Sequence, residues 1–134
     1  MRPELLAGLD VGTTSVKALL VTPDGTEVAL GRAPTTWSAT AFGAETTAES
    51  IVDAARVALA DALDRARGHR VVAVGVASMA ESGVLVGPDD EPLAPVIAWH
   101  DHRDEDQLRD LVAEIGGARF SVRTGLPVWT QWSL

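Results

Sequence analysis

The chain contains no cysteine, a single lysine and no long apolar run at its amino terminus, and each absence removes a class of function. Without thiols there is no disulfide, no thiol nucleophile and no thiolate metal site, and cysteine usage leaves the redox compartment open. Lys17 is the one lysine among 11 basic residues, which face 19 acidic ones, and the formal net charge is −8. Such a chain has no basic patch to follow a nucleic-acid backbone or an anionic membrane, so neither is expected as a partner. Glu4 and Asp10 interrupt the amino terminus before a long apolar run can form, which argues against a signal peptide and a transmembrane helix. The expected setting is a soluble protein of the cytoplasm. What the chain does have is apolar material, 46% of 134 residues, enough for one real core.

The richest segment is Asp10-Val11-Gly12-Thr13-Thr14-Ser15, an acid, a glycine and three hydroxyls in a tight loop between two β-rich runs. Gly12 lacks a Cβ, so it can take positive φ and let backbone amides approach a phosphate, while Thr13, Thr14 and Ser15 add donors. Asp10 can hold Mg²⁺ directly or through water. The same residues also suit an ordinary hairpin that binds nothing, because Asp-x-Gly turns between strands are common.

Residues 5–10, 16–22 and 27–32 read as three short strands of an antiparallel meander, with a turn at Pro23-Asp24-Gly25. Residues 33–46 show no periodicity and read as a surface loop with an extended stretch near Trp37. Thr46 and Glu49 form a capping box, and Ile51, Ala55, Ala58, Leu59, Ala62, Leu63 and Ala66 recur at helical spacing until Gly68. Residues 71–77 are continuously apolar and β-branched, which predicts a central parallel strand covered on both faces. Residues 84–86 and 96–98 read as shorter strands around Gly87-Pro88-Asp89-Asp90. Leu108, Leu111, Val112 and Ile115 mark a second helix that stops at Gly116-Gly117. Residues 130–134 look like the start of an amphipathic helix, which suggests an amino-terminal piece of a longer chain.

A meander followed by a helix and an apolar strand resembles the opening of the ribonuclease-H-like α/β fold of actins, heat-shock ATPases and sugar kinases. That fold has a mixed sheet with helices on both faces, of which this chain is an incomplete domain. Three segments are most similar to the FGGY carbohydrate kinases, a group that includes xylulose, glycerol and gluconate kinases: residues 8–18, residues 73–82, and residues 95–103 with Trp99, Asp101 and Arg103 in a Trp-x-Asp-x-Arg pattern. Thr124-Gly125 and Pro127 also fit the resemblance. It implies ATP and Mg²⁺ as cofactors and a small sugar, polyol or sugar acid as substrate. Residues 1–134 would be the amino-terminal part of the first domain, without the second, nucleotide-binding domain. The catalytic-base aspartate of the family would lie beyond residue 134. Alone, the chain is expected to be inactive, since no second domain closes to exclude water.

By this resemblance Asp10, Gly12, Thr13, Thr14 and Ser15 would face the γ-phosphate and its Mg²⁺, with Asp10 as the metal ligand. Lys17 would stand near the transferring phosphoryl group, or would be a plain exposed strand lysine. Met79, Ala80 and Glu81 fall on the sugar-binding loop. Glu81 matches the glycerol-kinase glutamate that accepts from two polyol hydroxyls, while Ala80 replaces an arginine or methionine and leaves the substrate open. The bland reading of Glu81 is a solvated loop carboxylate. Trp99 can stack on a sugar ring or simply fill core. Asp101 and Arg103 can bond sugar hydroxyls, or pair with each other and cap the next helix. His100 and His102 lack a third metal ligand at a recognisable spacing. An ATPase switch of the chaperone or actin type and a non-catalytic sugar-binding remnant stay open beside the kinase, as does a homodimer.

Overall fold

The computed structural model describes residues 2–130. In chain order the elements are β1 (Glu4–Val11), β2 (Ser15–Val21), β3 (Glu27–Pro34), β4 (Ser38–Ala39), β5 (Ala44–Thr46), α1 (Ala48–Arg65), β6 (Arg70–Ser78), β7 (Val96–Ile97), α2 (Glu105–Ile115) and α3 (Gly117–Thr124). They fall into two compact units, Met1–Thr36 with Thr46–Ala80, and Trp37–Glu45 with Glu81–Leu134.

In the first unit β1, β2 and β3 form the expected antiparallel meander, and β6 joins β1 in parallel to give the order β3-β2-β1-β6. Strand alternation sends Leu5, Ala7, Val11, Val16, Ala18, Leu20, Ala29 and Ala33 to one buried face. Gly25, at φ +89°, closes the β2–β3 turn in a conformation that disfavours a side chain. A parallel pair needs a crossover, and α1 lies within that connection. The helix covers the buried face chiefly over β2 and β3 with a stripe of small residues, Ala54, Ala58 and Ala62. Small side chains bring the two backbones close: a Cβ on Gly31 of β3 would stand 2.0 Å from the Ala58 carbonyl oxygen and 2.6 Å from the Ala62 nitrogen.

Several boundaries differ from expectation. The cap of α1 is Thr47, whose hydroxyl accepts from the Ser50 amide at 3.1 Å, while Thr46 ends β5 and is buried. The capping box read at Thr46 and Glu49 is therefore displaced by one residue. β6, expected at the centre of a sheet, is the last of the four strands described, and because α1 sits over β2 and β3 its Val74 and Val76 are exposed to 52% and 68%. Among the described residues of this unit, the one helix is α1, on one face of the sheet. Leu6 and Leu30 stay exposed on the strands.

In the second unit the segment read as a loop carries β4 and β5, which form a three-stranded sheet in the order β4-β5-β7. Residues 84–86 make only a bridge, Val86 to Pro92, across a turn where Asp90 takes φ +61°. Helix α2 ends at Gly116 as expected, and α3, which had no signal of its own, follows it at once and buries Phe120. The helix expected from residue 130 lies, over 131–134, outside the described residues.

The Gly31 contact is with backbone, which cannot move aside as a side-chain tip would. Gly31→Ala is expected to lower unfolding stability by about 3 kcal/mol, the upper range for overpacking, measured by urea denaturation. A change within error would show that α1 slides on the sheet.

Candidate active site

Strand register, and not sequence proximity alone, sets the geometry of the Asp10 loop. Asp10 and Lys17 are cross-strand partners, and the Lys17 ammonium lies 3.4 Å from the Asp10 carboxylate, both partly exposed. An exposed pair of this kind adds little stability, so both charges remain available to a ligand. The Gly12 amide donates to the Ser15 carbonyl at 3.2 Å, the Thr35 hydroxyl donates to the Gly12 carbonyl at 2.7 Å, and the Thr35 amide to the Thr14 carbonyl at 3.1 Å. Three loop carbonyls are thereby held inside the protein. Gly12 does not use positive φ, contrary to expectation; a Cβ there would meet the Ser15 carbonyl at 3.0 Å, so the tightness of the turn is what favours glycine.

The end of β6 stands beside this loop. Parallel register sets Val11 opposite Ser78, the Met79 amide donates to the Val11 carbonyl at 2.9 Å, and the Thr13 hydroxyl lies 3.6 Å from the Met79 sulfur. Met79 thus touches the hydroxyl loop, and Ala80 next to it is exposed.

The second unit holds Glu81, Trp99 and Asp101. Glu81 adopts φ +59°, the left-handed region, at the start of the segment that leads into the Val86 bridge. Strained backbone of this type persists where the surroundings impose it and is frequent at ligand sites. Glu81, Trp99, Asp101, Arg103 and Asp104 line one cavity of about 620 Å³, whose apolar wall includes Leu85, Ile97, Leu108 and Leu111. Trp99 is partly exposed, and the edge of the His100 ring meets it with centroids 5.2 Å apart at 80°.

Asp101 is the one buried acid among the described residues, its side chain 1% exposed. Its carboxylate accepts from the Arg103 Nε at 2.8 Å, from Nη2 at 3.0 Å and from the Arg103 amide at 3.0 Å. Arg103 also reaches Glu45 at 3.1 Å. The Asp101–Arg103 pairing therefore forms, but without capping α2, whose cap Asp104 makes no side-chain cap bond. The Arg103 guanidinium holds the Asp101 carboxyl below its usual range, against the upward push of burial, and the two acids raise Arg103. Gly43 packs against Asp101, where a Cβ would come within 2.7 Å of its Cα. Thr40, whose hydroxyl donates to the Asp101 carboxylate at 3.5 Å, Gly43 and Glu45 carried no signal in sequence, because Glu45 sits on a three-residue strand too short to show a period and the other two sit in the turn before it.

Known proteins bear on these segments directly. The FGGY family of carbohydrate kinases, N-terminal domain, matches residues 5–134. Xylulose kinase of Streptomyces coelicolor is 37% identical over 123 residues, 90% of this chain and 25% of that protein. Glycerol kinase of Pseudarthrobacter chlorophenolicus is 31% identical over 134 residues, 97% of this chain and 27% of that protein. The crystal structure of xylulose kinase from Rhodospirillum rubrum superimposes with a TM-score of 0.85 at 35% identity, over 95% of this chain and 27% of that one. Proteins named for gluconate are similar over nearly the same span. The chain belongs to the FGGY family of carbohydrate kinases, and over the span it covers it has their ribonuclease-H-like fold. It spans about a quarter of the length of the relatives it matches. Among the described residues no helix is long and apolar enough to cross a membrane.

The folded pKa of Asp101 lies below its unfolded value. The stability it contributes is therefore complete above the unfolded value of about 4 and is lost as pH falls through the folded one. Asp101→Asn should cost about 2–3 kcal/mol at pH 7, and the gap from the parent should narrow below about pH 4. Denaturant midpoints of the two proteins at pH 7 and pH 3 check this, and a gap unchanged at pH 3 would contradict it.

Proposed function

We propose that these residues are the amino-terminal part of the first domain of an ATP-dependent kinase of a small sugar, polyol or sugar acid. They supply its phosphate loop and part of its sugar site. The observation that carries this reading is that Glu81, in a strained backbone conformation, and Trp99 line one cavity large enough for a monosaccharide. The names of the relatives, xylulose, glycerol and gluconate kinases, point to the same substrate class.

The roles follow from chemistry. Asp10 offers an exposed carboxylate at a strand end, a hard oxygen donor of the kind Mg²⁺ takes singly while keeping waters and phosphate oxygens. When bound, Mg²⁺ would neutralise charge on the transferring phosphoryl group. Gly12, Thr13, Thr14 and Ser15 form the wall facing that group, and Lys17 adds a positive charge beside Asp10. Phosphoryl transfer relies on placement and charge stabilisation, which a rigid, internally bonded loop provides. Glu81 accepts hydrogen bonds from adjacent hydroxyls of the acceptor, and Trp99 offers a ring to its C–H face. Met79 and Ala80 support the loop end. Asp101, spent on Arg103, acts as a positioning residue that holds the Trp99 segment in place.

The test is ADP release with ATP and Mg²⁺ across ketopentoses, glycerol, tetritols and aldonic acids. It is run on the 134 residues alone and on the same residues joined to the remaining length of a xylulose kinase. Release is expected only from the joined protein and only with one acceptor class, falling about a hundredfold with Asp10→Ala. Release that ignores every acceptor would favour an ATPase switch instead.

A further inference from the structure

Cysteine is absent, and Met1 and Met79 are the two methionines, so Met79 carries the one sulfur of the described residues. That sulfur lies at the hydroxyl loop. The Thr13 hydroxyl donates to it at 3.6 Å, across 66 residues of sequence. Both sides of the contact are fastened. Val11 is registered with Ser78 and the Met79 amide donates to the Val11 carbonyl at 2.9 Å, which ties the backbone carrying the sulfur to the strand that leads into the loop. On the loop side, the Thr35 hydroxyl and amide hold the Gly12 and Thr14 carbonyls, one on each side of Thr13. Met79 is half-buried and not sealed in the core. A thioether is a weak acceptor, so it steers the Thr13 hydroxyl without keeping it from a stronger acceptor such as a phosphate oxygen.

We propose that Met79 is an oxidative modification site that acts on the hydroxyl loop: a peroxide converts its thioether to the sulfoxide, and the sulfoxide oxygen captures the Thr13 hydroxyl. With hydrogen peroxide, a sulfur lone pair attacks one oxygen, the S–O bond forms as the O–O bond breaks, and the second oxygen leaves as water with both protons. Sulfur gives up two electrons and the peroxide takes them. The product is polar, and its oxygen is a much stronger acceptor than the sulfur was. Methionine turns about three bonds, so a small rotation brings the new oxygen to an ordinary O–H···O distance from a hydroxyl already beside the sulfur. The effect on phosphoryl transfer rests on the kinase reading above, since a captured Thr13 hydroxyl is withdrawn from the phosphate it would face. Reduction of the sulfoxide restores the thioether, so the change is reversible.

The experiment treats the 134-residue chain with hydrogen peroxide, following Met79 by mass spectrometry of its peptide and Thr13 by its methyl and amide resonances. Met79 is expected to gain the mass of one oxygen, with the Thr13 resonances shifting in step and returning after treatment with both methionine sulfoxide reductases. Met79→Leu keeps the apolar volume and removes the sulfur, so its Thr13 resonances should not respond to peroxide. In the protein joined to the remaining length of a xylulose kinase, peroxide should lower ADP release about tenfold, the worth of one hydrogen bond to a charged group, and by less when the protein carries Met79→Leu. An equal fall in the variant would overturn the link to transfer. A Met79 that stays unoxidised while added free methionine is consumed would overturn the site, and a sulfoxide that leaves the Thr13 resonances in place would overturn the capture. Absence of ADP release from the untreated joined protein would refute the kinase reading alone, because the mass and the resonances decide the Met79 proposal.

Discussion

The parallel pairing of β1 with β6 is the constraint on which the first unit depends. Antiparallel neighbours send their ends to opposite edges of a sheet, but parallel neighbours finish together. Because Val11 is registered with Ser78, the hydroxyl loop after β1 and the segment after β6 emerge side by side. The Met79 amide on the Val11 carbonyl and the Thr13 hydroxyl near the Met79 sulfur are consequences of that register. Two motifs almost 70 residues apart in the chain thus become one local surface. The crossover that makes this pairing possible contains α1, and α1 fits because alanines meet Gly31 where larger side chains would hold the layers apart.

The second unit buries Val96, Ala98 and Phe120, and beside them a carboxylate. A carboxylate as buried as Asp101 would cost several kcal/mol if left alone, and three hydrogen bonds from Arg103 offset that cost. Glu45 on β5 then ties Arg103 to the small sheet, and the Ala98 amide on the Ala44 carbonyl adds a backbone tie. Removing Arg103 would leave Asp101 as an unpaired buried charge, so the arginine is the member on which the group depends. Trp99, two residues before Asp101 and next to the Ala98 tie, is among the residues that line the cavity.

Legibility in the sequence followed the length and regularity of each element. The meander and α1 were readable because alternation and helical spacing run over enough residues to be distinguished from chance. The turn at Gly25 and the stop at Gly116 were readable because positive φ selects glycine. Strands β4 and β5 were not, being too short to carry a period, and so Thr40, Gly43 and Glu45 went unseen as supports of Asp101. Helix α3 begins on glycines, which are signals to stop and not to start. For the candidate site, the segments around Asp10, Glu81 and Trp99 were visible as chemistry. The commitment of Asp101 to Arg103 was visible only as one of two alternatives.

The amino-acid sequence alone determined the local chemistry: which loops carry hydroxyls and acids, where strands alternate, and which alanine stripe a helix would bury. It did so because these properties depend on neighbours within a few residues. Tertiary structure decided what depends on distant partners. It left residues 70–78 outside the cover of α1, since helix cover is a matter of where the helix settles. It made Gly12 a question of crowding and not of φ. It consumed Asp101 in an ion pair whose outer member, Glu45, comes from a segment with no local signature. It also set the Met79 sulfur beside the Thr13 hydroxyl, a contact that no single stretch of the chain contains.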